Sequence, residues 1–165
     1  MADDATEVFA NWVTPKGKIN PSLLADAILS NNDIVIARNP GTKADQVLWY
    51  RGGVYHVLSE TEAQTEADRY LPPFISNPST LRQTVQMIIV RADSCEYDEL
   101  NADESYINVR NGLIRISDFA LIPHTPELLS TVQLTCEYDP KAKAPLWEEF
   151  KRSYCKDEDG QFDEE

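Results

Sequence analysis

The sequence predicts an α+β fold: small antiparallel sheets built of hairpins, packed with about four helices and containing no Rossmann or P-loop core. Three observations predict it. Gly52-Gly53 and Asn111-Gly112 each lie between runs that alternate apolar and polar residues, the pattern of a tight hairpin. Four other segments open on a helix-start residue and continue with helical apolar spacing. Strands and helices do not alternate one for one, as a parallel nucleotide-binding sheet would require.

Taken in order, residues 1–19 are read as a leader whose Phe9, Trp12 and Val13 dock onto the body, with "TPKGK" breaking the pattern. In "INPSLLADAILSNN", Asn20 caps a helix, Pro21 takes its first position, and Leu23, Leu24, Ala27 and Ile28 share a face. "NDIVIAR" (32–38) is a strand and "NPGTKADQ" a loop. "VLWYRGGVYHVLS" (47–59) is a hairpin turning on the two glycines. Ser59 and Glu62 form a capping box that opens a helix running to about Tyr70, stopped by Pro72-Pro73. In "NPSTLRQTVQMIIVRAD", Leu81, Val85, Ile88, Ile89 and Ala92 line one face of a longer helix. Residues 93–105 are predicted to be an acidic loop. A hairpin over 106–117 turns on Asn111-Gly112 as a type I′ turn, apolar "FALIP" follows, and a strand is expected at "VQLTCEY". Pro145 opens a last helix on which Trp147, Phe150 and Tyr154 share a face.

The chain has 165 residues, of which 42% are apolar, enough for one domain with a real core. No window approaches the ~18 consecutive apolar residues of a membrane span. The acidic start "MADDATEV" lacks the apolar centre of a secretory signal, so a cytoplasmic location is expected. Cys95, Cys136 and Cys155 are far apart and read as free thiols in a reducing compartment. With only His56 and His124 beside them, no zinc site is expected.

The net charge is −13, which opposes phosphate binding at first sight. Half of the 28 carboxylates fall in three runs, at the two ends and over 96–104, so the body is near neutral. These runs are read as solvated ends and a solvated loop; a contact with a basic partner is the alternative.

No self-contained active site is legible. The chain has no G-x-x-x-x-G-K-[ST], no H-E-x-x-H and no G-x-S-x-G. "NPGTK" (39–43) has one glycine and no following helix, so it reads as a surface turn. His124 is either a general base or the closure of a turn. His56 is read as a cross-strand packing partner. Trp49, Tyr50 and Tyr55 beside Arg51 either stack single-stranded bases or pack the sheet, and packing is preferred.

"NVRNGLI", then "LIPHTPELLSTVQL", then "EYDPKAKAPLWEEF" resembles the domain that precedes the superfamily 3 helicase motor in phage, plasmid and poxvirus primase-helicases. The residues that carry the resemblance are Asn108, Asn111 and Gly112; Pro123, His124, Thr125 and Pro126; Ser130 and Thr131; Tyr138, Asp139 and Pro140; Ala142, Ala144 and Pro145; and Trp147 and Phe150. They follow in order through residues 108–150. Most also have a local reading as turn or helix-start residues. Asn108 is the exception: a polar residue in a strand, it either holds a loop by side-chain hydrogen bonds, the preferred reading, or touches a partner.

The resemblance implies a leader (1–19), an accessory domain (20–155) preceding a helicase motor, and an acidic tail (156–165). The preferred reading is a piece cut from a larger protein rather than a standalone relative, because the family's motor would follow where this chain stops in a polar stretch. It implies no enzyme activity and no cofactor or metal for this chain. The parent would be an ATP-dependent DNA helicase and primase of a mobile element, cytoplasmic in a bacterial or host cell. The expected partners are the parent's own motor and primase parts, with single-stranded DNA as a further one, and oligomers only in the full-length protein. Candidate DNA contacts are Arg110 and Arg115 on the hairpin and Lys141, Lys143, Lys151 and Arg152 further on; ordinary surface charge is the alternative. A second reading is an acidic protein-interaction module with no DNA affinity.

Overall fold

Hydrogen bonding at the chain's polar start residues defines the helices. In this computed structural model, which describes residues 12–14, 18–39, 41, 45–72 and 75–154, α1 spans Pro21–Ser30. The Asn20 side chain accepts from the backbone N–H groups of Ser22 and Leu23, satisfying donors that the first turn leaves free. Helix α2 (Glu60–Asp68) opens on the Ser59–Glu62 capping box, and α3 (Pro78–Arg91) is capped by Asn77. Helix α4 spans Pro145–Tyr154. The leader's Phe9, the tail 156–165 and Cys155 lie outside the described residues.

Strands β1 (Ile34–Arg38), β2 (Gln46–Arg51), β3 (Val54–Leu58) and β4 (Asp93–Glu96) form one sheet in the order β3-β2-β1-β4. The β1–β2 and β2–β3 pairs are antiparallel, while β4 runs parallel to β1. Strands β5 (Tyr106–Val109), β6 (Gly112–Arg115) and β7 (Leu121–Ile122) make an antiparallel second sheet. The described residues therefore hold four helices and two small sheets, an α+β fold.

Alternation along β1 divides the core in two. Ile34 and Ile36 join Val47 and Trp49 against Leu24, Ile28, Leu81 and Ile88 of α1 and α3, with Trp12 buried among them. Ala37 joins Leu48, Tyr55 and Cys95 on the opposite face, under Leu100 and Leu129. Helices thus cover one face of the larger sheet, and the loops around the second sheet cover part of the other.

Four sequence expectations are corrected. The acidic segment 93–105 is not all loop, because Asp93–Glu96 adds β4 to the sheet edge. Only Cys95 of that strand is buried, so its composition carries no strand pattern. On α1, Ala25 is buried and Leu23 is 44% exposed, which moves the buried face by one residue. The β5–β6 turn lies at Arg110-Asn111, because Val109 pairs with Gly112. Neither turn residue has a positive φ, so the turn is not type I′. Segment 132–138 is not a strand. A single parallel bridge, Leu134 to Val109, anchors it beside β5.

Candidate functional site

Of the residues that carry the sequence resemblance, Asn108, His124 and Ser130 come together where the two sheets meet. The Gly52-Gly53 turn of the β2–β3 hairpin reaches the second sheet. Asn108, on β5, is 7% exposed. Its side-chain nitrogen donates to the Gly53 carbonyl (2.8 Å) and to the Ser130 hydroxyl (3.1 Å). Its side-chain oxygen accepts from Gln133 Nε2 at 3.1 Å, and Gln133 also donates to the Gly52 carbonyl at 3.0 Å. Ser130 Oγ in turn donates to the Val132 carbonyl (2.8 Å). This buried polar network has a partner at each end, which is what makes its burial tolerable.

Around this network the other motif residues do similar work. Nε2 of His124 donates to the Val109 carbonyl at 2.8 Å, which fixes its tautomer and closes the turn onto β5. The His124 ring packs against Gly53 so closely that a Cβ there would lie 2.6 Å from Nδ1. Asn111 holds the backbone of Tyr138 at both ends: its amide donates to the carbonyl and its oxygen accepts from the N–H, each at 2.9 Å. Thr131 is held the same way by Asn101, whose amide donates to Oγ1 (2.7 Å) while its oxygen accepts the Thr131 N–H (2.8 Å). Asp139 accepts the N–H of Lys141, forming an Asx turn around Pro140. Gly112, at φ +154°, lets β7 approach; a Cβ would lie 2.5 Å from the Ile122 carbonyl. Pro145 starts α4.

The candidate DNA contacts are more dispersed. Arg110 is exposed at the tip of the β5–β6 turn, and its N–H donates to the Cys136 carbonyl. That bond and the Asn111–Tyr138 pair set the turn beside the segment leading to Lys141 and Lys143, both exposed. Arg152 is exposed on α4, and Lys151 is ion-paired with Glu148 at 3.0 Å. Arg115 lies at the other end of β6, about 10 Å from the turn at the ~3.4 Å rise of a strand residue. It is engaged by both oxygens of Asp118 at 2.9 and 2.7 Å. That hydrogen bonding raises the Arg115 pKa and holds the Asp118 carboxyl down at about 2. Residues 137–154 carry as many acidic as basic side chains, so no basic stripe forms there.

Among the remaining candidates from the sequence, the sheet aromatics resolve as packing and His56 does not. Trp49 and Tyr55 are 1% and 4% exposed, so they offer bases no stacking platform; Arg51 instead lies 4.9 Å over the Trp49 ring. Burial is the main cause that pushes the Tyr55 hydroxyl up to about 12, and it also raises Tyr50 and the Cys95 thiol. His56 faces Trp49 across the β2–β3 ladder but is exposed. Glu66 is bonded to Arg51 (2.6 Å) and Arg69 (2.9 Å), and the Arg51 hydrogen bond lowers its pKa. Among the described residues no cluster of three His, Cys, Asp or Glu could hold a metal ion, and no helix is long and apolar enough to cross a membrane.

Sequence reasoning does not find Gln133, Gly53 and Asn101 as members of this knot, since their partners lie 25, 55 and 30 residues away. The adjacent glycines at 52–53 are the one available signal, because a second glycine in a hairpin turn leaves room for a neighbour to approach.

A family model described as D5 N terminal like matches residues 46–155. The chain belongs to the D5 N-terminal-like family. The family is the N-terminal domain of D5-like phage and poxvirus primase-helicases, so a D5 N-terminal-like chain is associated with a primase-helicase. It is an N-terminal domain and not a recognised catalytic one. No curated protein matches the chain. The D5 N-terminal-like match begins at β2 and takes in the whole Asn108 knot together with α4.

Proposed function

We propose that this chain is a non-catalytic accessory domain of a phage or plasmid DNA replication primase-helicase, acting in the cytoplasm of a bacterial or host cell, and that α4 is the surface by which it joins the helicase motor of its own parent. The observation that carries this reading is the uncovered face of α4. Leu146, Trp147, Phe150 and Tyr154 are 81%, 56%, 47% and 76% exposed, and no residue of the helix is buried. Trp147 stacks on Phe150 and Phe150 on Tyr154, at centroid separations of 5.5 and 4.8 Å. An aromatic strip of this kind is unfavourable while it faces water and becomes favourable on docking. In this reading residues 20–155 are the accessory unit, and ring assembly belongs to the full-length protein.

The test is calorimetric titration of this chain with the separately produced helicase motor of its parent. Association that falls at least tenfold in a Trp147→Ala, Phe150→Ala variant supports the reading. An affinity unchanged by that variant, or no association, rejects it.

DNA guidance is the finer part of the proposal. Exposed Arg110, Lys141, Lys143 and Arg152, together with Lys151 and the more distant Arg115, are its candidate phosphate contacts. The balanced charge of residues 137–154 favours the second reading, an acidic protein-interaction module with no DNA affinity.

A further inference from the structure

The segment that leads to α4 is held at the chain's single Asn-Gly dipeptide, Asn111-Gly112. A glycine after asparagine leaves its amide nitrogen unhindered, so that nitrogen can attack the asparagine side-chain carbonyl carbon. Asn111 is exposed at the β5–β6 turn. Its side-chain amide is clamped, donating to the Tyr138 carbonyl and accepting from the Tyr138 N–H, each at 2.9 Å. Gly112 is buried and paired with Val109. Both partners of the attack are therefore engaged while the clamp holds.

The clamp itself is weakly anchored. No side chain of residues 131–154 is buried. A segment with so few buried contacts opens locally far more readily than the whole domain unfolds. The neighbouring tie is one backbone bond, from the Arg110 N–H to the Cys136 carbonyl at 3.0 Å. Lifting residues 135–154 breaks the Cys136 and Tyr138 bonds and frees the Asn111 amide, with both sheets in place.

We propose that Asn111 is a deamidation site gated by this segment. When the segment lifts, the Gly112 nitrogen gives its proton to hydroxide and attacks Asn111 Cγ. The bond from Cγ to the side-chain nitrogen breaks, and that nitrogen leaves as ammonia with a proton from water. Water then opens the cyclic imide at either carbonyl, which leaves aspartate or isoaspartate. The change runs one way. In aspartate a carboxylate oxygen faces the Tyr138 carbonyl, where an N–H had donated. In isoaspartate an extra methylene enters the backbone beside the Val109–Gly112 pair. Either product loosens the hold on residues 135–154, whatever α4 docks against.

The test is incubation of the whole chain in mildly alkaline buffer without urea, in urea below the unfolding transition, and in unfolding urea. Peptide mapping by mass spectrometry follows conversion at Asn111. Conversion is expected without urea, slower than in unfolding urea by about tenfold or more, at a rate nearly flat in urea below the transition, as a local opening gives. No conversion without urea, a rate that climbs with urea as global unfolding does, or equal rates in folded and unfolded chain overturns the proposal. Asn111→Asp reads the consequence: the Arg110 amide, which donates to Cys136, should exchange its hydrogen faster than in wild type. Unchanged exchange at Arg110 overturns the one-way release.

Discussion

The side-chain nitrogen of Asn108 donates to the Gly53 carbonyl at 2.8 Å, joining the turn of the first hairpin to the second sheet across 55 residues of chain. The same amide reaches Ser130 and Gln133, so one buried side chain ties together three separate segments. Replacing it by alanine strands the Gly53 carbonyl and the Ser130 and Gln133 side chains without their shared partner. Asn108→Ala is expected to destabilise the domain by about 2–3 kcal/mol. Urea unfolding checks this as a lower midpoint at unchanged slope. Asn108→Asp costs at least as much, because a carboxylate then faces the Gly53 carbonyl.

The adjacent glycines separate two costs. Gly52 has φ +58° and nothing within 4 Å of a Cβ built on it, so Gly52→Ala bears only the backbone cost of about 1 kcal/mol. Gly53 has φ +88° and the His124 ring against it. Gly53→Ala is therefore expected to cost more than ~2 kcal/mol, adding a steric clash to the backbone strain. Thermal unfolding of the two variants side by side reads the difference.

What is legible in the sequence is local. Asn20, Ser59 with Glu62, and Gly52-Gly53 act within a few residues of themselves, and each does in the fold what its spacing predicts. Strand β4 is not legible, because "DSCE" buries one side chain and owes its pairing to β1, more than 50 residues away in sequence. The Asn111-Gly112 pair suggests a type I′ turn. The two residues are instead used separately, Asn111 to hold Tyr138 and Gly112 to admit β7. The motif that carries the family resemblance is visible in the sequence, but its role as a knot between sheets depends on partners that only the fold brings together.

Acid titration reports on the Glu66–Arg51 pair. The hydrogen bond from Arg51 holds the Glu66 carboxyl below its ordinary 4.5. A lowered folded-state pKa contributes stability above the unfolded value, and that contribution is lost as pH falls through the folded value. Glu66→Gln is therefore expected to lower the urea midpoint at neutral pH. The gap to wild type should close progressively below about pH 4.5, the unfolded reference. A gap that stays constant into acid would show that the pair contributes nothing through charge.

Fluorescence anisotropy of a labelled ~20-mer single strand tests DNA guidance, because phosphate contacts release counterions and weaken steeply with salt. If the track is real, Lys141→Glu with Lys143→Glu abolishes low-salt binding. Absence of binding at low salt leaves the protein-interaction reading.

Aromatic residues in the core and on α4 should behave in opposite ways. Trp49 is 1% exposed, and Trp49→Ala is expected to cost ~3–5 kcal/mol. Neither Trp147 nor Phe150 is buried, so the Trp147→Ala, Phe150→Ala pair should shift the unfolding midpoint by less than the equivalent of ~1 kcal/mol. Circular dichroism melts of both variants check the contrast.

The most direct measurement of the central claim is iodide quenching of tryptophan fluorescence, in this chain alone and in the intact primase-helicase with the parent's other tryptophans replaced. Trp12 and Trp49 are buried and Trp147 is 56% exposed, so in the isolated chain iodide should reach Trp147 alone of the three. If α4 docks onto the motor, that quenching disappears in the intact protein. Quenching of Trp147 that is equally strong in both would contradict the account.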